Sequence, residues 1–319
     1  MEHQFKHDLQ SSESQFGLPI DKVGIRQVEK KVEIVQENKK YDFYPKISAL
    51  ISLPAQQRGI HMSRTSETIE EVINEVILKP TPTIERVGER IARRLLKRHQ
   101  YTSKVEVKLE GEIIVQVREN SHGNVQKAYD ISSCTLAKRK ESGDIEFNYF
   151  ITANAVGMSC CPCALDMSKE YAEEVIKNRD DIDISEETTQ KLLNILPFAS
   201  HNQRSKGTIK LEISDLDDHT IDILDLIDVI EDSMSGRIQS VLKRPEEAEL
   251  IRSAHLKPLF SEDIIREMAR NFLRKDFPNL ENDFKIMFKV ESFESIHPHN
   301  VYAEMKTTIG KLRENVSVK

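Results

Sequence analysis

Three of the chain's four cysteines, Cys160, Cys161 and Cys163, fall in the stretch VGMSCCPCALDMSK, around Pro162. Two thiols one residue apart face the same way only in extended backbone, and a proline disfavours helix for the residue before it. Cys161 and Cys163 can therefore address one pocket, as metal ligands or as reactive thiols. Half of a closed zinc site would call for a second Cys or His pair nearby, and none has that spacing. A redox pair would call for a thioredoxin-like context, which is also missing. In a reducing compartment four thiols make no disulfide framework, and Cys134, in DISSCTLAK, reads as a small core residue of a strand.

Four other segments carry chemistry-bearing residues. In FASHNQRSKGT, His201 stands just before a strand and is followed by Gln203, Arg204 and Ser205, a dense hydrogen-bonding loop mounted on a rigid element. In VLKRPEEAEL, Lys243 and Arg244 precede Pro245, Glu246 and Glu247. This reads as a helix start with acids that complement the N-terminal dipole. One acid can serve the cap while the other faces a metal, and the sequence does not say which. In FESIHPHNVYAE, Glu294, His297 and His299 lie between two strand patterns, either as an acid/base group or as a polar hairpin tip. LPAQQRGIHMSR sets Arg58, His61, Ser63 and Arg64 ahead of a helix, an arrangement that suits phosphate, with solvated loop charge as the ordinary alternative. No GxGxxG or Walker pattern competes for that role.

The elements that must hold these residues follow from periodicity. Val105, Val107 and Leu109 alternate with charged residues, as do Ile209, Leu211 and Ile213, and Phe284, Ile286, Phe288 and Val290, predicting strands. Breaks at SHGN and ESGD suggest antiparallel hairpins. Helical spacing sets Ile69, Val72, Ile73 and Val76 on one face after a Ser66 cap, and Ile84, Val87, Ile91 and Leu95 on one face of a helix starting near Pro82. Further helical stripes comprise Ile223, Leu226, Ile227 and Ile230, and Ile264, Met268 and Phe272, while roughly 163–198 reads as a helical stretch. The order is strand, helix pair, strands, twice over, which predicts an α+β fold with antiparallel sheets. The net charge of −7 and a pI near 5.9 argue against non-specific nucleic-acid binding. There is no apolar run long enough to span a bilayer and no secretory signal pattern in MEHQFKHDLQSSESQ, so no membrane partner and a cytoplasmic location are expected.

Taken in order, LPAQQRGIHMSR, GMSCCPCA, ASHNQRS, LKRPEE, LFSED and SFESIHPH resemble the motifs of the type IB GTP cyclohydrolases, from about residue 20 to the end of the chain. The resemblance implies a tunnelling fold, two tandem strand-helix-helix-strand halves in one chain with helices on one side of the sheets. Its expected divisions are a polar segment 1–20, a first half 21–160, a metal-site loop and helical insertion 161–205, and a second half 206–319. It also implies that Cys161, His201 and Glu247 bind a catalytic metal, leaving a position for water or substrate. Cys163 then resembles a catalytic thiol, Glu262 the carboxylate that anchors guanine, and Glu294, His297 and His299 the acid/base group, with Cys160 a bystander. Arg64, Arg204, Lys243 and Arg244 are the candidates for holding the triphosphate of GTP. Homo-oligomers, a dimer or dimer of dimers, are implied as well. By ligand type the site suits Fe²⁺, Mn²⁺ or Zn²⁺. The long segment between Cys163 and His201 resembles the archaeal, iron(II)-dependent group of the family, which forms a cyclic phosphate, whereas the folate-type group forms a triphosphate. Glu246 stands where Asp is more usual in the RPDE motif, with the neighbouring ligand Glu247 intact.

Overall fold

Long runs of alternating apolar and polar residues make this chain a sheet builder, and the computed structural model describes residues 8–36, 39–119, 123–179, 181, 183–216, 221–275, 277 and 279–316. The first strands are β1 (Ile20–Glu29), β2 (Val32–Gln36) and β3 (Lys39–Leu53). Helices α1 (Met62–Leu78) and α2 (Ile84–Arg98) follow, then the long strands β4 (Lys104–Glu119), β5 (Gly123–Arg139) and β6 (Ile145–Cys160). Next come α3 (Pro162–Lys177), α4 (Glu186–Ile195) and β7 (Asn202–Ile213). The remainder is α5 (Ile223–Asp232), the two-residue β8 (Gly236–Arg237), α6 (Arg244–Leu256), α7 (Ser261–Arg274), β9 (Lys285–Ser292), β10 (Val301–Thr308) and α8 (Ile309–Asn315). Of the SHGN break, Ser121 and His122 lie outside the described residues, but Glu119 pairs with Gly123 across it. The ESGD break joins β5 to β6, with Gly143 at φ +90°, a conformation that glycine adopts without steric cost.

The expectation of a tunnelling fold with two tandem halves and separate sheets is corrected here. The strands form one ten-stranded sheet in the order β1-β3-β4-β5-β6-β7-β9-β10, with β2 on β3 and β8 on β6. Its named strand pairs are antiparallel. The strand edges that would have bounded two sheets are joined directly, because β6 and β7 pair continuously from Tyr149–Ile213 to Cys160–Asn202 and satisfy each other's backbone groups. Helices on one side alone are also corrected. α1, α2, α5 and α7 bury their apolar stripes against one face, whereas α6 packs through Ala254 and Leu250 on Met158 and Cys160, which strand alternation directs to the other face.

The buried stripes are those the periodicity marks. Ile69, Val72, Ile73 and Val76 of α1, Val87, Ile91 and Leu95 of α2, and Met268 and Phe272 of α7 are all within 4% of full burial. At about 25 cal/mol per Å² of apolar area, burial of this kind is the main force holding helices to sheet. Near the end of β6, α5 approaches closely. A Cβ on Gly207 would stand 2.4 Å from Ile230 Cγ2, so the side-chain-free position lets the helix settle beside β7. α1 begins one turn before the expected Ser66, with His61 as N-cap, because Thr65 and Thr68 are buried and carry the stripe back toward Met62.

Candidate active site

The paired ends of β6 and β7 bring Cys161 beside His201. The Cys161 N–H donates to the His201 carbonyl at 3.1 Å, extending the ladder one step beyond the strands. The Cys161 carbonyl accepts from Ser200 Oγ at 2.6 Å. This corner is braced from three directions: Ser168 Oγ of α3 donates to the Ala199 carbonyl at 2.8 Å, His255 of α6 lies 3.3 Å from the Ser200 carbonyl through Nε2, and the Leu259 N–H donates to the Cys160 carbonyl at 3.0 Å. The three neighbouring cysteines differ sharply. Cys160 is fully buried and burial, aided by the adjacent Cys161, pushes its thiol up to about 11, which suits an inert core group. Cys161 is half-buried and N-caps α3, while Cys163 is exposed in the first helical turn. Cys134 is half-buried in β5, and burial pushes its thiol up to about 11 as well.

His201 is oriented by a relay. Its Nδ1 lies 3.0 Å from Gln203 Oε1, and Gln203 Nε2 donates to Glu294 Oε1 at 3.1 Å. An ionised carboxylate only accepts, so Glu294 turns the amide NH₂ toward itself and the amide oxygen toward the imidazole. With the amide oxygen as acceptor, Nδ1–H is the donor of this contact, and Nε2 is left outside the relay. The other Glu294 oxygen lies 3.8 Å from Nδ1, and both side chains are largely enclosed. Imidazoles that ligate metals are commonly held this way, through a hydrogen bond on the far nitrogen.

Two helix starts carry adjacent acids, and each uses one for its own cap. At α6 the Lys243 N–H donates to Glu246 Oε2 at 2.9 Å, which answers the question the sequence leaves open: Glu246 caps, and Glu247 stays exposed one position on. Glu247 shares a helical face with Leu250 and Ala254, the residues packed at Met158 and Cys160. At α7 the Phe260 N–H donates to Asp263 Oδ2 at 3.3 Å, and Glu262 stays exposed in the first turn. Leu259, tied to the Cys160 carbonyl, fixes where that turn begins.

The remaining candidates scatter more widely. His297 and His299 are exposed in the β9–β10 connection with rings stacked at 5.1 Å between centroids and 9° between planes. The Phe293 N–H donates to the Arg204 carbonyl at 2.9 Å, anchoring this connection to β7. The Arg204 side chain, on the strand face opposite Gln203, lines a cleft of about 470 Å³ with Lys127, Asp130, Asn154 and Lys206. A second cleft of about 1180 Å³, between β4, β5 and α5, contains none of the candidate catalytic, metal-binding or substrate-binding residues. Lys243 and Arg244 are exposed at the start of α6. Arg64 is exposed on the first turn of α1, a helix that packs on α2, β1 and β2. Within one chain it is separated from the His201 corner by the width of β4 and β5.

Cys161, His201 and Glu247 fit a divalent metal by donor chemistry, one thiolate, one imidazole and one carboxylate, and by the Nε2 nitrogen that lies outside the Glu294–Gln203 relay. Among the described residues, no group of three or more His, Cys, Asp or Glu is gathered closely enough to hold a metal. The structure thus unites Cys161 with His201, and His201 with Glu294, while Glu247, Glu262, Cys163 and the two stacked histidines are exposed and, among the described residues, are not gathered with them into a metal-holding group. In the sequence Gln203 stands only as one member of the hydrogen-bonding loop after His201. The signal was its parity: positions 201, 203 and 205 share one strand face, so Gln203 is the residue able to reach both His201 and the neighbouring strand.

In fold, the chain is similar to uricase from Arthrobacter globiformis, with a TM-score of 0.52 at 7% identity over 90% of this chain and 93% of that one. It is also similar to urate oxidase from Bacillus sp. TB-90, with a TM-score of 0.50 at 10% identity over 91% of this chain and 100% of that one. These likenesses describe the fold as uricase-like, in place of the paired-halves arrangement expected from the sequence. In sequence, it is 36% identical over 310 residues to GTP cyclohydrolase MptA of Methanosphaera stadtmanae, covering 96% of each chain. It is 33% identical over 311 residues to GTP cyclohydrolase MptA of Methanocaldococcus jannaschii, covering 97% of each. The family model described as Type I GTP cyclohydrolase folE2 matches residues 7–303, and the chain belongs to that family of enzymes.

Proposed function

We propose that this chain opens the imidazole ring of GTP, releases C8 as formate, and forms 7,8-dihydroneopterin 2′,3′-cyclic phosphate with diphosphate for methanopterin-type pterin synthesis. The observation that carries the reading is the Glu294–Gln203–His201 relay beside Cys161, in a chain whose family is that of the type I GTP cyclohydrolases. The two helices between Cys163 and His201, α3 and α4, and the relatives named MptA support the cyclic-phosphate branch.

Cys161, His201 and Glu247 would hold the metal, Fe²⁺ with Mn²⁺ or Zn²⁺ as alternatives. When bound, it supplies an activated water for attack at C8, a poor electrophile. Glu262 accepts the N1–H and the exocyclic amine of guanine, a two-point contact that adenine cannot make. Glu294, His297 and His299 carry protons to the ring nitrogens as the bonds to C8 break. Glu294 also holds Gln203, so its loss disturbs both proton transfer and the orientation of His201. Cys163 serves as a catalytic thiol near the metal. Arg204, Lys243, Arg244 and Arg64 are the cations offered to the phosphates, with Arg64 brought in from a neighbouring copy in a homo-oligomer.

The test is anaerobic turnover of GTP by metal-stripped protein given Fe²⁺, Mn²⁺ or Zn²⁺ in turn, with formate assayed and the pterin identified by mass. Formate with a cyclic phosphate and diphosphate is the expected result, with Fe²⁺ most active. Formate with an intact triphosphate would assign the enzyme to the folate-type branch. No formate with any metal would overturn the reading.

A further inference from the structure

Four buried serines form a hydroxyl chain across the elements that carry the site. Ser159 of β6 lies 2.7 Å from Ser205 of β7, Ser205 lies 2.7 Å from Ser292 of β9, and Ser292 lies 2.9 Å from Ser261 at the start of α7, all Oγ to Oγ. Their exposures are 2%, 0%, 1% and 7%. Ser205 and Ser292 are direct register partners, so the chain is built into the sheet. Each member stands next to a site residue in sequence: Ser159 two before Cys161, Ser205 two after Gln203, Ser292 two before Glu294, and Ser261 directly before Glu262. On a strand, residues two apart share a face, so Ser159, Ser205 and Ser292 lie on the same face as Cys161, Gln203 and Glu294, one step along each strand from them.

A hydroxyl has one proton and two lone pairs. Each inner member can donate to one neighbour while accepting from the other, so the chain runs with a single polarity and its bonds reinforce one another. A layer of small apolar residues would fill the same space without desolvating four hydroxyls. The hydroxyls add direction and a fixed spacing between three strands and one helix terminus. We propose that the Ser159–Ser205–Ser292–Ser261 chain is a positioning element of the active site, locking the first turn of α7, which carries Glu262, to the strand ends that carry Cys161, Gln203 and Glu294. This rests on the assignment of Glu262 to guanine and of Cys161 to the metal.

The test uses the metal-loaded full chain and measures kcat, KM for GTP and, separately, Mn²⁺ affinity by equilibrium dialysis. Ser292→Ala removes two links at once. A misplacement near 1 Å costs on the order of 100-fold in rate, and a loss of about that size in kcat/KM is expected, shared between kcat and KM. Ser233→Ala serves as the matched control, because Ser233 is equally buried but bonds to the Val229 carbonyl and Asn271 outside the chain. It is expected to lower the melting temperature with kcat/KM unchanged. Ser261→Thr, at the least buried member, is expected to restore what Ser261→Ala loses. The two ends do not touch, yet Ser159→Ala and Ser261→Ala are expected to be coupled, the double variant staying within about threefold of the worse single one. Losses that multiply, a Ser292→Ala enzyme as active as wild type, or an effect matched by Ser233→Ala would overturn the inference while leaving formate release by the wild type intact. A wild type that releases no formate with any metal would overturn the underlying reading, and this inference with it.

Discussion

His99 and His201 sit on opposite halves of one sheet and are treated in opposite ways by the fold. His99 closes α2, is fully buried, and has both ring nitrogens engaged: Nε2 is 3.2 Å from Thr65 Oγ1 and Nδ1 is 2.9 Å from Tyr101 OH. Burial, helped by the charges of Arg64, His61 and Arg98, holds it down to about 4. Among the described residues His201 has only Nδ1 engaged, by Gln203, and it stands at a strand end beside Cys161. A histidine with both nitrogens used by the protein is part of the core. One with a single nitrogen fixed is aimed, and the free nitrogen tells where.

The comparison breaks most visibly through the metal. His201→Ala and Cys161→Ala are each expected to lose bound metal and at least about 1,000-fold in formate release, as removal of an essential ligand should, whereas His99→Gln and Cys160→Ala keep metal stoichiometry near that of wild type. Equal metal losses in Cys160→Ala and Cys161→Ala, measured by elemental analysis, would erase the distinction between ligand and bystander.

A second contrast is in acid stability. The folded protein holds His99 neutral, so above pH 6.5 its contribution is fully present. It is lost as pH falls from about 6.5 toward about 4, because the unfolded chain takes up the proton first. The whole effect is about 3 kcal/mol. Urea unfolding at pH 7 and pH 4.5 should show the wild type losing more stability than His99→Gln, and parallel losses would remove His99 from the account.

Smaller effects sharpen the His201 side. Gln203→Ala frees the imidazole to take either tautomer and is expected to weaken metal affinity by about 10–100-fold without changing the melting temperature of the metal-free protein. Glu246→Ala should cost about 1 kcal/mol as a lost helix cap with metal retained, and Glu247→Gln should reverse that pattern. Metal titration with thermal denaturation of both variants separates the two acids.

Much of this molecule is legible in its sequence because burial follows periodicity. The stripes on α1, α2, α5 and α7 and the alternation in β4, β7 and β9 name the core residues one by one. The continuity of the sheet is not legible, because the β6–β7 pairing spans the α3–α4 segment and no local pattern encodes which distant strand will be the partner. The helical stretch between Cys163 and His201 resolves into two helices, the second capped by Ser185 through the Thr188 N–H, a signal that an uninterrupted reading passes over. Of the site, cysteine and histidine were visible by type. Gln203 and Ser205 were visible only as members of a hydrogen-bonding loop, and Ser159, Ser261 and Ser292 not at all, since their role lies in who faces whom across strands, and serine occurs too widely to stand out alone.

The most direct test is X-ray absorption at the zinc edge of stoichiometrically loaded protein, wild type beside Cys161→Ala. One sulfur near 2.3 Å with nitrogen and oxygen ligands near 2.0–2.1 Å is expected in the wild type, and the sulfur shell should vanish in the variant. A sulfur shell that survives Cys161→Ala, or a wild-type spectrum that requires two sulfurs, would contradict the assignment of Cys161, His201 and Glu247 as the metal ligands.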